Sequence, residues 1–159
     1  MAFPSKNLTP AQALQKLKHY CAYQERCHSE VHEKLYSLGV RKAEHDAIIA
    51  TLIEENYLNE ERFACAFAGG RFRMKYWGRQ RIAYELQQKK VSAYCIKKAL
   101  KEIDEEEYAQ KLEKLACEKY AALKSEQYLV RKKKTQDYLI QKGYEIDRIK
   151  AVLAQITEK

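Results

Sequence analysis

The chain echoes itself three times, and this echo limits its possible folds more than any single motif does. Leu35-x-x-Leu38-Gly39-Val40 is followed by Ile49 and Leu52, and Leu86-x-x-Lys89-Lys90-Val91 by Ile96 and Leu100. Leu139-x-x-Lys142-Gly143-Tyr144 is followed by Ile149 and Leu153. The anchors Val40, Val91 and Tyr144 stand 51 and 53 residues apart, a period that points to tandem helical modules. In each copy one helix ends near a Gly or Lys, an apolar residue follows, and a shorter helix begins. Gly39 and Gly143 suit the left-handed position just past a helix C-terminus, where a residue without Cβ fits at little cost. Lys90 takes that place in the middle copy.

Leading helices complete the copies. Thr9-Pro10 reads as an N-cap followed by proline at the first helical position, opening a helix to about Glu25. Ser29 is expected to cap the next helix through Leu38, and Ile48, Ile49, Leu52 and Ile53 to line one face of the third. Asn59 can cap a helix whose Phe63, Ala66, Phe67 and Gly70 share a face. Gly69-Gly70 inside that helix costs about 1 kcal/mol each relative to Ala, so close backbone packing against a neighbour is expected there. Phe63, Phe67, Ile82, Leu86, Ile96 and Leu100 are the expected middle core. Asp104 with Glu107 reads as a capping box, and the acid-rich first turn suits the positive end of the helix dipole. Tyr108, Leu112, Leu115 and Cys117 are the expected buried face of that helix. Ser125 is a candidate cap for the next, which carries Leu129, Leu139 and Ile140. Ile146, Ile149, Val152, Leu153 and Ile156 form the last stripe.

With 5 Gly and 2 Pro in 159 residues, the chain has too few turn-formers for a sandwich or barrel. The fold class expected is all-α, an elongated tandem array of three three-helix repeats. Their boundaries fall near Tyr57–Asn59 and Ile103–Asp104, giving repeats 1–58, 59–103 and 104–159. A unit of about 50 residues buries little surface alone, and stacking in series lets neighbours share cores. No segment approaches the roughly 20 apolar residues of a membrane span. Met1-Ala2-Phe3-Pro4-Ser5-Lys6 has no apolar core of a signal peptide, so a cytoplasmic protein is expected, and the repeated pattern with its caps is read as a monomer. Five scattered cysteines suit a reducing compartment better than a disulfide framework. A metal site from His19, Cys21, Cys27, His28 and His32 would lack a CxxC knuckle and straddle a helix break, so no metal and no cofactor is expected. No phosphate-cradling loop, HExxH or GxSxG is present, and an enzyme is not expected.

Charge is the second constraint. Residues 59–103 hold 11 Lys and Arg against 4 Asp and Glu, a net +7 of the chain's +8. The other stretches nearly cancel: 0 for 1–58, −3 for 104–123 and +4 for 124–159. Arg71 and Lys75 lie four apart on one helix face, Arg73 lies between them in sequence, and Arg79 and Arg81 follow Trp77-Gly78. Lys97, Lys98 and Lys101 sit opposite the apolar Ile96, Ala99, Leu100 and Ile103. These eight cations are the candidate partner-binding, polyanion-binding residues, since Lys and Arg neutralise phosphates and Arg adds paired hydrogen bonds. The plainer reading is a solvated helix face, with Trp77 a plug at a helix junction. Arg131-Lys132-Lys133-Lys134 reads as an exposed face with a weaker claim to such contact.

Three blocks resemble the RecX family of RecA regulators: Leu58-Asn59-Glu60-Glu61-Arg62-Phe63-Ala64, Arg71…Trp77-Gly78-Arg79…Ile82, and Glu85-Leu86…Lys89-Lys90-Val91. The resemblance implies tandem three-helix repeats that bind the RecA–single-stranded-DNA filament and modulate, usually inhibit, recombinase activity in DNA repair. It implies a contact surface on the basic middle unit, carried here by Arg71, Arg73, Lys75, Arg79 and Arg81, with direct contact to single-stranded DNA possible. Lys90 in place of the usual Gly, and Cys27-His28 before Ser29, depart from the family pattern. Two other classes fit the residues: a freestanding nucleic-acid-binding protein of helix-turn-helix-like units, and a scaffold for acidic proteins.

Overall fold

The computed structural model describes residues 8–158, which form nine helices and no strand. The Met1–Lys6 stretch read above lies outside the described residues. The helices are α1 (Pro10–Tyr23), α2 (His28–Ser37), α3 (Lys42–Glu54), α4 (Glu60–Lys75), α5 (Arg79–Gln88), α6 (Ala93–Lys101), α7 (Glu105–Ala122), α8 (Tyr128–Lys142) and α9 (Ile146–Thr157). They follow as three consecutive triplets, the repeated all-α array expected. Among the described residues no helix is long and apolar enough to cross a membrane.

The threefold echo has a physical cause. After α2, α5 and α8 the chain closes the same Schellman cap. The amides of Val40, Val91 and Tyr144 reach back to the carbonyls of Leu35, Leu86 and Leu139 at 3.0, 3.1 and 3.2 Å. The residue before each anchor is left-handed, with φ 76° at Gly39, 61° at Lys90 and 103° at Gly143. Lys90 therefore holds the glycine conformation with a Cβ. Left-handed backbone costs an L-residue about 1–2 kcal/mol, partly offset by glycine's larger unfolded entropy. Lys90→Gly is expected to stabilise the chain by about 0.5–1 kcal/mol, read as a higher denaturant midpoint at unchanged slope.

Several local expectations are corrected. Cys27, not Ser29, is the N-cap of α2. Glu30 closes a capping box there, accepting the Cys27 amide at 3.1 Å, which frees the Ser29 hydroxyl for a longer-range bond. Gln127 rather than Ser125 precedes α8. The buried seam of α4 is Phe63, Ala64, Ala68 and Phe72, whereas Ala66 is exposed and Phe67 half-buried. Leu100 is also half-buried, while Ile82, Leu86 and Ile96 are core as expected. Ala116 replaces Cys117 on the α7 seam, and Ile53, Leu129, Ile140 and Ile146 are exposed. Backbone packing does not explain Gly69-Gly70: a Cβ at Gly70 would meet open space and one at Gly69 only the Arg73 guanidinium.

The described chain divides into two compact units. The first holds the chain up to Ala66 together with Leu86–Ile96. Leu17, Leu35, Leu52 and Leu58 centre its core, each almost fully buried. Here the α1–α2 junction docks on the α5 cap: the Ser29 hydroxyl donates to Lys89 O at 2.6 Å, and Lys89 Nζ lies 3.6 Å from Glu30. His45 is completely buried, with Nε2 3.1 Å from Val40 O and Nδ1 2.9 Å from His32 Nδ1. A carbonyl only accepts, so Nε2 of a neutral His45 carries the proton and its Nδ1 accepts from His32. Burial first, and then the unfavourable placing of a second imidazole charge beside His45, push the His32 pKa below its ordinary value. A histidine with a depressed folded pKa adds stability that is present above about pH 6.5 and lost as pH falls through the folded value. The melting temperature should therefore drop between about pH 7 and about pH 5, and His32→Gln should flatten that slope.

The second unit holds Phe67–Glu85 and the chain from Lys97 onward. Its core is an aromatic run in which Tyr108 lies 5.9 Å from Phe72 and 5.1 Å from Tyr144, ring centre to ring centre. Leu112, Leu139, Ile149 and Leu153 surround it, all buried.

Candidate partner-binding surface

Five of the eight basic residues lie where α4 ends and α5 begins, and the backbone there is unusually constrained. Tyr76 is left-handed at φ 60°, and its carbonyl accepts the Tyr144 hydroxyl at 3.0 Å. Gly78 and Gln80 then run against the α8 cap. The Gly78 amide donates to Lys142 O at 2.8 Å and the Gln80 amide to Gly143 O at 2.9 Å. A Cβ at Gly78 would sit 2.4 Å from the Gly143 carbonyl carbon, so only glycine admits this approach. The joint matches the one in the first unit, where an α1–α2 junction meets the α5 cap.

This frame sorts the eight candidate cations into different roles. Arg79 is committed to the interior. Its guanidinium meets Glu105 at 2.8 Å, donates to Ile103 O at 3.2 Å and lies 4.0 Å over the Tyr108 ring. Its backbone amide donates to the Tyr108 hydroxyl at 3.0 Å, which in turn donates to Glu145. Arg148 closes the network onto Glu105 at 2.7 Å and Glu145 at 3.0 Å. The Arg148 hydrogen bond, with the Arg79 charge behind it, holds the Glu105 carboxyl below its ordinary pKa. Burial, reinforced by the bond to Glu145, raises the Tyr108 phenol. Charge alone did not separate Arg79 from its neighbours in the sequence; the cue was Asp104–Glu107, whose second residue is its partner.

Three of the others gather around one indole. Arg81, Arg71 and Lys75 place their charges 4.2, 5.5 and 5.9 Å from the centre of the Trp77 ring. Phe67 meets the same ring edge-on at 6.4 Å and carries Arg71 at 4.7 Å over its own. Arg71 Nε is buried without a hydrogen bond, whereas Arg81 is anchored by a 3.3 Å bond to Gln141 O. Trp77 is half-buried, so it both packs the joint and carries cations. Arg73 and Lys75 are exposed, as are Lys97, Lys98 and Lys101 on α6. Lys97 and Lys101 share a hollow with Arg79 and Glu105. The Arg131–Lys134 run is largely satisfied locally: Arg131 stacks on Tyr120 at 3.5 Å, Lys133 pairs with Asp137 and Lys134 with Glu126.

Comparison with known proteins places this architecture. The chain matches the second three-helix domain of RecX over residues 59–100 and the third over residues 105–153. It is 30% identical over 158 residues to the regulatory protein RecX of Chlorobium limicola, covering 98% of this chain and 94% of that protein. It is 28% identical over 140 residues to the RecX of Bacillus cytotoxicus, covering 88% of this chain but 52% of the relative. The chain thus spans about half the length of that relative and nearly all of the other. A solved structure of RecX from Lactobacillus salivarius superposes with a TM-score of 0.85 at 21% identity, over 94% of this chain and 97% of that one. At that identity the likeness speaks to the fold. The helical repeats, the two domain matches and the full-length relative agree: the chain belongs to the RecX family of regulatory proteins.

Proposed function

We propose that this protein binds the RecA–single-stranded-DNA filament and restrains its growth and strand exchange. The observation that carries the reading is the concentration of exposed cations on one basic stretch of a RecX-family chain, at residues 59–103. The mechanism is steric and electrostatic: the helical repeats present Arg73, Lys75, Arg81, Lys97, Lys98 and Lys101 to an acidic nucleoprotein surface, and no bond is made or broken. Arg79 serves the same surface indirectly by fixing the start of α5. Non-enzymatic action in the cytoplasm, as a monomer built of repeats 1–58, 59–103 and 104–159, completes the proposal. Titration into RecA strand-exchange and ATPase assays, beside a binding curve on bare single-stranded DNA, tests it. Inhibition at concentrations that leave bare DNA unbound supports the reading. Binding to bare DNA with no effect on RecA would favour the freestanding nucleic-acid binder instead.

A further inference from the structure

Three features of the α4–α5 junction bear on what its cations recognise. First, the cations are held by aromatic rings rather than by acids. Arg81 lies on the Trp77 indole at 4.2 Å and is pinned by Gln141 O, while Arg71 sits between Phe67 and Trp77. A stacked guanidinium keeps its full charge and loses little further freedom when it forks onto an oxyanion. Second, both aromatics of the junction are already in use: Lys111 lies 4.4 Å over the Tyr76 ring, as Arg81 does over Trp77. Binding of single strands relies on open aromatic faces for the bases, and here a cation already lies over each ring, leaving less of it for a base to stack on. Third, the surface column beside Arg71 and Lys75 is apolar and open. Met74 is 80% exposed, and Gly70, four residues earlier, has free space above it. Flexible Met beside bare helix backbone admits the close approach of another polypeptide.

We infer that the Trp77 junction is a receptor for an acidic protein segment. Carboxylates are taken by Arg81 and Lys75, an apolar side chain packs on Met74 over Gly70, and Trp77 is the positioning residue that holds the cations in place. The inference rests on the filament reading in one respect only: it assigns the protein, not the DNA strand, as what this junction touches.

The chain has a single tryptophan, so its emission reports on the junction directly. The experiment titrates the full chain with an oligo-glutamate peptide and with oligothymidylate of equal charge, following tryptophan emission and the anisotropy of labelled probes. Oligo-glutamate should bind more tightly and shift the emission. Trp77→Leu, unchanged in charge, should weaken peptide binding about tenfold, and Trp77→Phe should restore most of it. Should Trp77→Leu fail to fold, Arg81→Lys keeps the charge but loses the stacked fork and should weaken binding about fivefold. Tighter binding of oligothymidylate, or wild-type peptide affinity in folded Trp77→Leu or in Arg81→Lys, would overturn the inference. A protein that inhibits RecA but ignores oligo-glutamate contradicts this inference alone. One that binds the peptide without acting on RecA contradicts the filament reading alone.

Discussion

Replacing Gly78 by alanine is expected to destabilise the protein by about 4 kcal/mol. The added Cβ would fall 2.4 Å from the carbonyl carbon and oxygen of Gly143 and 2.5 Å from the Tyr144 amide nitrogen. All three are backbone atoms inside a helix cap, so no rotamer change relieves the overlap. Overpacking of this kind costs about 1–3 kcal/mol and sometimes more. Separating the two segments also lengthens the Gly78–Lys142 and Gln80–Gly143 hydrogen bonds, each contributing about 1 kcal/mol. Gly70→Ala is the matched control, because its Cβ enters open space and a helix interior gains about 1 kcal/mol from the change. Denaturant midpoints should therefore move in opposite directions for two glycines eight residues apart. Equal shifts would mean that the α4–α5 junction does not rest on the α8 cap.

Much of this arrangement is legible in the residues, and what is not has a physical reason. The Leu…Gly/Lys-apolar signature locates all three Schellman caps because such a cap needs a left-handed residue followed by an apolar one, and the repeat places Lys90 where the outer copies have Gly. Thr9, Asn59 and Asp104 cap where read, each accepting an amide three residues on, at 3.2, 2.9 and 3.0 Å. Helix faces are less secure. On α4 the large Phe67 outweighs its neighbour Ala68 in any hydrophobicity count, yet Ala68 is fully buried and Phe67 is not. Adjacent residues stand about 100° apart on a helix, and close helix contact prefers the small one. The Cys27 cap was hidden because thiols rarely cap, and its effect comes from Glu30. Most of the candidate surface follows from local charge, but the role of Arg79 does not. Its partners Glu105 and Tyr108 lie in another triplet, and Gly78 draws them together only in three dimensions.

The second large effect concerns partner binding. Changing Arg73, Lys75, Lys97 and Lys101 together to glutamate should weaken the proposed binding to the RecA filament by roughly a hundredfold while leaving the fold intact. All four are exposed and none bonds to Arg79, Glu105 or Tyr108, so reversing them breaks no contact of that network, although Lys97 and Lys101 line the hollow beside it. An exposed ion pair is worth about 0.2–1 kcal/mol, and reversal replaces attraction with repulsion. A summed loss of about 3 kcal/mol corresponds to the expected hundredfold. Arg79→Glu, by contrast, should unfold the second unit, since it sets a carboxylate beside Glu105 and removes the guanidinium from the Tyr108 ring. Wild-type binding should weaken steeply as salt rises, because screening and counterion release act in the same direction.

The central claim is tested most directly by one titration, in which wild type and the quadruple Arg73, Lys75, Lys97, Lys101 charge-reversed variant are added to RecA strand exchange at the same ionic strength. The helical content of the variant is checked by circular dichroism. The wild-type chain should inhibit, and the folded variant should need roughly a hundredfold more protein to do so. Undiminished inhibition by the folded variant would contradict the claim that this basic surface engages the filament.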